Sequence, residues 1–224
     1  MKTGVFMKKR YIALGLILLT AVLLVVFAVL KHNADKGDSQ SNSTAVAFEK
    51  AQLGVTVDSW LKIIEIDEYY GRLAVVAENV SNDDVEYALL TVKTKNDTLT
   101  FNVSALLSGT KAVLLCNESV GCDPYEEYTA WQTDNKVNFE NPPVMNDDKI
   151  EVQVMDGSIS VKNISDEDIE SDIYIYYKDK KDDVVNGSVT YKIRVDALKE
   201  SSQTFVKAPD VNENNCQIIF TDLL

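Results

Sequence analysis

The sequence has few of the residues that carry enzyme chemistry. It contains one histidine, three cysteines, four prolines and nine glycines among 224 residues. The histidine, His32, has no nucleophilic partner at a recognisable spacing, which argues against Ser-His or Cys-His catalysis. A glycine-rich phosphate loop and a Cys/His metal cluster are also missing, and no carboxylate pair resembles that of a glycosidase. We therefore predict a protein that is not an enzyme and has no catalytic, cofactor-binding or metal-binding residues, with a hydrolase as a remote alternative.

Positive charge is scarce outside the N-terminal region. The chain has 22 basic and 35 acidic side chains, a formal net charge of −13. Residues 1–36 hold six of the basic and one of the acidic side chains, which leaves 16 basic and 34 acidic ones, a net −18, in residues 37–224. Because phosphate binding needs clustered Lys and Arg, this acidic body argues against nucleic acid as a partner.

Long apolar runs are also missing, except at residues 12–30, which carry no charge and follow a short basic segment. As a helix this run spans about 28 Å, close to the thickness of a bilayer core. It is either a cleaved signal peptide or an uncleaved anchor. A signal peptide is usually shorter and ends in a small-x-small site, whereas Val26-Phe27-Ala28-Val29-Leu30-Lys31 is a poor one. We therefore predict a transmembrane helix at residues 11–30.

The charge flanking this helix predicts its orientation. The positive excess places residues 1–10 in the cytoplasm and residues 31–224 outside the cell. Residues 31–50 begin with a stretch rich in Ser, Asn, Asp, Gly and Thr, which cannot bury a core and predicts a flexible stalk.

An octet that occurs twice organises the rest of the chain. Residues 79–86, Asn-Val-Ser-Asn-Asp-Asp-Val-Glu, return 84 positions later as residues 163–170, Asn-Ile-Ser-Asp-Glu-Asp-Ile-Glu. Asn, Ser and Asp side chains can bond nearby backbone groups, so we predict a tight corner between two strands in each copy. Val80 and Ile164, with Val85 and Ile169, are predicted to seat these corners on the core. Two of the seven Asn-x-Ser/Thr sequons fall here, and we interpret them as turns.

Calcium binding is the alternative interpretation of the octet, because its side chains are hard oxygen ligands. Their spacing does not match the twelve-residue calcium loop, and no glycine stands where such a loop turns. We therefore favour turn chemistry. The candidate ligands are Asn82, Asp83, Asp84, Asp166, Glu167, Asp168 and Glu170.

Short alternating runs on both sides of each octet predict strands. They recur every 8–12 residues with little helical periodicity, which is typical of antiparallel β-sandwiches. Pro142-Pro143 interrupts regular structure and marks a boundary. The sequence therefore predicts a mainly β protein with two tandem antiparallel β-sandwiches, residues 51–146 and residues 147–224.

The cysteines allow two states. Cys116 and Cys122 are close enough in sequence for a local disulfide outside the cytoplasm, but reduced thiols are an equal alternative. Cys216 precedes the apolar run Ile218-Ile219-Phe220 and is predicted to be a buried free thiol.

Tyrosines supply the candidate contact surface. In Ile173-Tyr174-Ile175-Tyr176, a strand turns Tyr174 and Tyr176 away from the aliphatic face, so the pair can form an interaction face. The alternative is that both tyrosines pack at an edge or between the sandwiches. Tyr125, Tyr128 and Trp131 form a second aromatic set, in which Trp131 is predicted to lie in the core.

Each predicted sandwich resembles the FxLYD-type, immunoglobulin-like domain of bacterial envelope proteins. The resemblance rests on the corner and on a turn before a Phe/Val strand. These segments are residues 78–84 and 106–111 in the first sandwich, and residues 162–166, 173–179 and 198–205 in the second. The layout is similar to that of membrane-anchored proteins of Clostridia-like bacteria. It implies immunoglobulin-like sandwiches that serve as interaction or spacer modules, and it supplies no functional residue.

These observations lead to one functional prediction. We expect a single-pass cell-membrane protein with extracellular C-terminal domains, acting as a structural or protein-binding module of the bacterial cell envelope. Its partners would be the membrane, through the N-terminal helix, and an envelope or extracellular protein. The alternative is an accessory subunit of an envelope transport or surface-assembly machine.

Overall fold

The computed structural model describes residues 51–120, 128–181 and 183–224, and this part of the chain is built from β-strands without a helix. The strands are β1 (Ala51–Val57), β2 (Leu61–Tyr69), β3 (Arg72–Asn79), β4 (Val85–Lys93), β5 (Thr98–Leu106), β6 (Lys111–Leu115), β7 (Thr129–Asn138), β8 (Ile150–Met155), β9 (Ser158–Asn163), β10 (Ile173–Lys181), β11 (Val184–Val185), β12 (Tyr191–Val195), β13 (Gln203–Lys207) and β14 (Cys216–Leu223).

These strands pair into four antiparallel sheets. The order is β1-β2-β3-β6 in the first sheet and β5-β4-β7 in the second. Further along the chain, β13-β9-β8 form the third sheet, and β10 pairs with β12, β14 and the short β11 in the fourth. Each sheet therefore draws its strands from one half of the described chain.

Two hydrophobic cores lie between these sheets. Leu61, Ile63 and Val75 of the first sheet are buried with Leu90 and Phe101 of the second. We call these two sheets, residues 51–138, the N-terminal sandwich. The other two, residues 150–223, enclose a second core and are the C-terminal sandwich. Its core includes Ile159, Val161, Ile173, Ile175 and Val195. The mainly β, sandwich-like character predicted from strand periodicity is confirmed.

The predicted transmembrane helix at residues 11–30 and the stalk at residues 31–50 lie outside the described residues. Within the part that is described, no helix is long and apolar enough to cross a membrane. The described residues belong to one compact unit, so the domain boundary at 146/147 stays a prediction.

The repeated octets occupy equivalent corners of the two sandwiches. The first joins β3 to β4 and the second leads from β9 toward β10. Asn79 and Asn163 are fully buried at these corners. Asn79 Nδ2 donates to the carbonyls of Asp83 (2.8 Å) and Leu106 (3.0 Å), and Asn163 Nδ2 donates to those of Glu167 (2.8 Å) and Leu198 (3.2 Å). The octet thus forms a strand-to-strand corner built on a buried amide, as predicted.

The acidic side chains of the corners have structural partners too. Asp84 accepts a hydrogen bond from the backbone N–H of Ser108, and Asp168 accepts one from that of Glu200, both at 2.8 Å. Within the described residues, no group of three or more His, Cys, Asp or Glu side chains is arranged to hold a metal ion. The turn interpretation therefore accounts for these two carboxylates without a cation.

The predicted seating of the corners is half wrong. Val85 and Ile169 are buried, as expected, but Val80 and Ile164 are each 45% exposed. In each octet the Asn side chain turns into the core, so the next residue along the chain, Val80 or Ile164, points to the opposite side and faces solvent. The amide, together with the second aliphatic residue, holds each corner to its core.

The two sandwiches meet where the segment after β11 docks on the edges of β5 and β6. Gly187 donates its N–H to the carbonyl of Val113 (2.7 Å) and accepts from the N–H of Ser104 (2.8 Å). A Cβ at Gly187 would lie 2.6 Å from Cβ of Ala112, so only glycine fits this approach. One residue of the C-terminal sandwich thus bonds to both sheets of the N-terminal one.

Lys178 on β10 reinforces the same junction. Its side chain is 98% buried, and Nζ donates to the carbonyls of Ser104 (2.5 Å), Asn186 (3.4 Å) and Val189 (3.4 Å). Burial lowers the pKa of this ammonium group to about 7. Lys178 connects the two sandwiches through backbone acceptors rather than through an opposite charge.

Candidate interaction groove

The alternation of β10 determines where its tyrosines point. Ile173 and Ile175 are fully buried in the C-terminal core, whereas Tyr174 and Tyr176 are half-buried on the opposite face. The predicted orientation of the tyrosine pair is therefore present. Neither ring is fully exposed, because both are partly covered by neighbouring side chains. Their role as an interaction face stays a prediction.

Tyr176 belongs to a cluster of three aromatic rings. It stacks on Phe220 of the paired strand β14, with centroids 4.1 Å apart and planes 15° apart. Phe139, directly after β7, meets Phe220 edge-on at 5.3 Å and 83°. Offset-stacked and edge-to-face pairs are favourable arrangements of aromatic rings. The cluster therefore brings together β10, β14 and the start of the segment between the sandwiches.

Lys192 on β12 covers the other end of the tyrosine pair. Its Nζ lies 3.8 Å from the ring centroid of Tyr174 and 5.1 Å from that of Tyr176. A hydrogen bond with Tyr176 raises the pKa of the Lys192 ammonium group. A cation from the chain itself therefore already lies over both tyrosine rings.

Beside the aromatic cluster lies a groove of ≈ 520 Å³ between the sandwiches. Its apolar floor is formed by Phe139, Pro142, Pro143, Val144, Tyr176 and Phe220, and its rim carries Glu86, Glu140 and Asp222. We call this the junction groove. A volume of this size lies within the range of sites that bind small ligands or a few side chains of a partner.

The wall of the junction groove is fixed by hydrogen bonds to β14. The N–H of Thr221 donates to the carbonyl of Val144 (2.8 Å), and Thr221 Oγ1 donates to that of Met145 (2.6 Å). Asn146 Nδ2 donates in turn to Thr221 Oγ1 (3.0 Å). Pro142-Pro143 ends regular structure, as predicted, but the segment packs against the C-terminal sandwich. The groove is therefore built into the fold.

Sequence reasoning found Tyr176 but missed Phe139 and Phe220. The aliphatic-aromatic alternation of β10 identifies the tyrosines by itself. Phe220 follows two isoleucines and resembles any core position of a closing strand. Phe139 stands between a strand and a proline pair, where no periodicity applies. Only the pairing of β14 with β10 makes these rings neighbours.

The cysteines give no reactive site among the described residues. Cys116 is a buried free thiol whose Sγ donates to Glu118 (3.2 Å), and burial raises its pKa to about 12. Cys122, the other half of the predicted disulfide, lies outside the described residues. Cys216 is a buried free thiol, as predicted, and burial raises its pKa to about 11. Thiols with such pKa values are poor nucleophiles at neutral pH.

The described members of the second aromatic set, Tyr128 and Trp131, pack against the N-terminal core. Trp131, predicted to lie in the core, is only half-buried, with its ring 6.4 Å from that of Tyr128. Tyr125 lies outside the described residues.

Comparisons with protein families, with curated proteins and with solved structures find no match to this chain. The resemblance to FxLYD-type domains therefore stays a prediction, and the junction groove is interpreted from its own chemistry.

Proposed function

We propose that this protein is a membrane-anchored, extracellular protein-binding module of a bacterial cell envelope. Residues 11–30 would form its single-pass anchor, with the N-terminus in the cytoplasm. Residues 31–50 would be a stalk that carries two tandem immunoglobulin-like sandwiches. The duplicated corner and the two separate cores support this description of the body.

The observation that carries the binding role is the junction groove. It places three aromatic rings, two prolines and a valine in one concave surface, and aromatic side chains are enriched at protein interfaces. Val144, one of the floor residues, is 53% exposed, so the apolar surface of the groove is accessible to a partner. The hydrogen bonds of Thr221 hold this surface in place, so binding needs little ordering of the chain.

Site-specific photo-crosslinking in intact cells tests the binding role. A crosslinking amino acid at Val144 reports on the junction groove, and one at Phe205, which is 59% exposed on β13, is the matched control. We expect one recurrent envelope-protein adduct at position 144 that is absent at position 205. Equal adducts at both positions, or none at 144, would contradict a role for the groove.

The anchor has a separate test, which does not depend on the groove. The full chain should stay in the membrane fraction after carbonate washing, and externally added protease should digest its body in intact cells. A soluble mature protein with a new N-terminus near Lys31 would overturn the anchor.

A further inference from the structure

The rim of the junction groove is one-sided in charge. Glu86, Glu140 and Asp222 line it, and its described lining contains no Lys or Arg. The ion pairs recorded in the described part of the chain involve Glu78, Asp172 and Asp196, and none of these lines the groove. Lys192 lies close enough to Asp222 to offset part of its charge. Glu86 and Glu140 therefore remain as carboxylate side chains in a lining that contains no basic residue.

The groove can contact the side chains of a partner, but it exposes little free strand edge with which a partner's backbone could pair. The outer edge of β14 is already used at Thr221, whose N–H bonds to the carbonyl of Val144. A partner segment at that point cannot add a strand through its backbone, as in β-augmentation. Recognition must come from apolar side chains on the floor and from charge at the rim.

Aromatic rings with nearby carboxylates are a favourable environment for ammonium and guanidinium groups, because the ring face and the anion both attract the cation. The chain uses the first of these contacts itself, since Lys192 lies over the ring of Tyr174. A partner that brings Lys or Arg between apolar side chains matches both the floor and the rim of the groove.

We propose that the junction groove binds a basic peptide segment of a partner protein, in which Lys or Arg alternate with apolar residues or proline. This inference rests on the proposed binding function and adds the chemistry of the partner. The cations would pair with Glu86 and Glu140, and the apolar side chains would cover Phe139 and the proline pair. The net charge of −13 would add long-range attraction for such a segment.

Fluorescence anisotropy with the full chain in detergent tests this proposal. The probe is a labelled dodecapeptide with four lysines among leucine and proline, compared with analogues that carry norleucine or glutamate instead of lysine. The double variant Glu86→Gln/Glu140→Gln removes the rim charges. The matched control, Asp166→Asn/Glu167→Gln, removes two exposed carboxylates at the second corner.

We expect the lysine peptide to bind, and the rim variant to weaken its binding about tenfold at low salt. The control variant should change affinity less than about twofold, and added salt should weaken binding to the native chain. Equal affinity of the rim and control variants would overturn the proposal, as would equal binding of the norleucine peptide. An adduct at Val144 without lysine-peptide binding would overturn the basic partner while leaving the groove as a protein-binding site.

Discussion

Replacing Ser201 by glycine should stabilise this protein, although serine is the native residue. The turn before β13 has its counterpart before β6. The N–H of Ser202 donates to the carbonyl of Lys199 (3.0 Å), and the N–H of Thr110 donates to that of Leu107 (3.1 Å). The third position of the turn before β6 is Gly109, with φ 70°, and that of the turn before β13 is Ser201, with φ 56°. Ser201 therefore adopts a left-handed conformation in which its Cβ is crowded.

The size of the effect follows from two opposing contributions. A non-glycine residue in the left-handed region costs about 1–2 kcal/mol. Glycine loses more conformational entropy on folding than serine does, which offsets about 0.5–1 kcal/mol of the expected stabilisation. We therefore expect Ser201→Gly to raise the free energy of unfolding by about 0.5–1 kcal/mol. For a body of this size the corresponding increase in Tm is about 1–4 °C.

Gly109→Ser is the reciprocal control. No atom lies within 4 Å of a Cβ built at Gly109, so the only expected cost is that of the backbone conformation, about 0.5–1 kcal/mol. Urea unfolding of both variants, followed by tryptophan fluorescence, measures the two changes at a common slope. The argument is refuted if Ser201→Gly is neutral or destabilising, or if Gly109→Ser leaves stability unchanged.

Four further changes test the corners and the junction. Asn163→Ala should cost about 2–4 kcal/mol in urea unfolding, because it removes a fully buried amide that donates to two backbone carbonyls and accepts from the N–H of Ser165. Ile164→Ala, next to it and 45% exposed, should cost less than about 0.5 kcal/mol. Gly187→Ala should cost about 1–3 kcal/mol and speed proteolysis between the sandwiches, since its Cβ would meet that of Ala112 at 2.6 Å. In the folded chain the pKa of Lys178 is about 7, below the ordinary value for lysine. Above pH 7 the unfolded chain therefore binds more protons than the folded chain does. The free energy of unfolding should then rise by up to about 1.4 kcal/mol per unit between pH 7 and 8.5, and Lys178→Met should remove that rise.

The corners show how much local chemistry reveals. An Asn-x-Ser pattern between two alternating runs predicts a turn, because Asn and Ser side chains reach backbone groups two to four residues away. Asn79 and Asn163 do this, since their Oδ1 atoms accept from the backbone N–H of Ser81 and Ser165 at 3.0 and 2.9 Å. The exposure of Val80 and Ile164 could not be predicted in the same way. It depends on which side of the corner faces the core, and that is determined by strands distant in sequence.

By itself, the sequence determined the fold class and predicted that the body has two sandwiches. Alternating runs, a duplicated octet and a proline pair led to a mainly β body with two cores, because strand periodicity and turn chemistry act over a few residues. Only the tertiary structure decided where a groove forms. The pairing of β14 with β10 makes Phe220 a neighbour of Tyr176, and the packing of the intervening segment brings in Phe139. The groove arises from contacts between residues far apart in the chain, which no local pattern encodes.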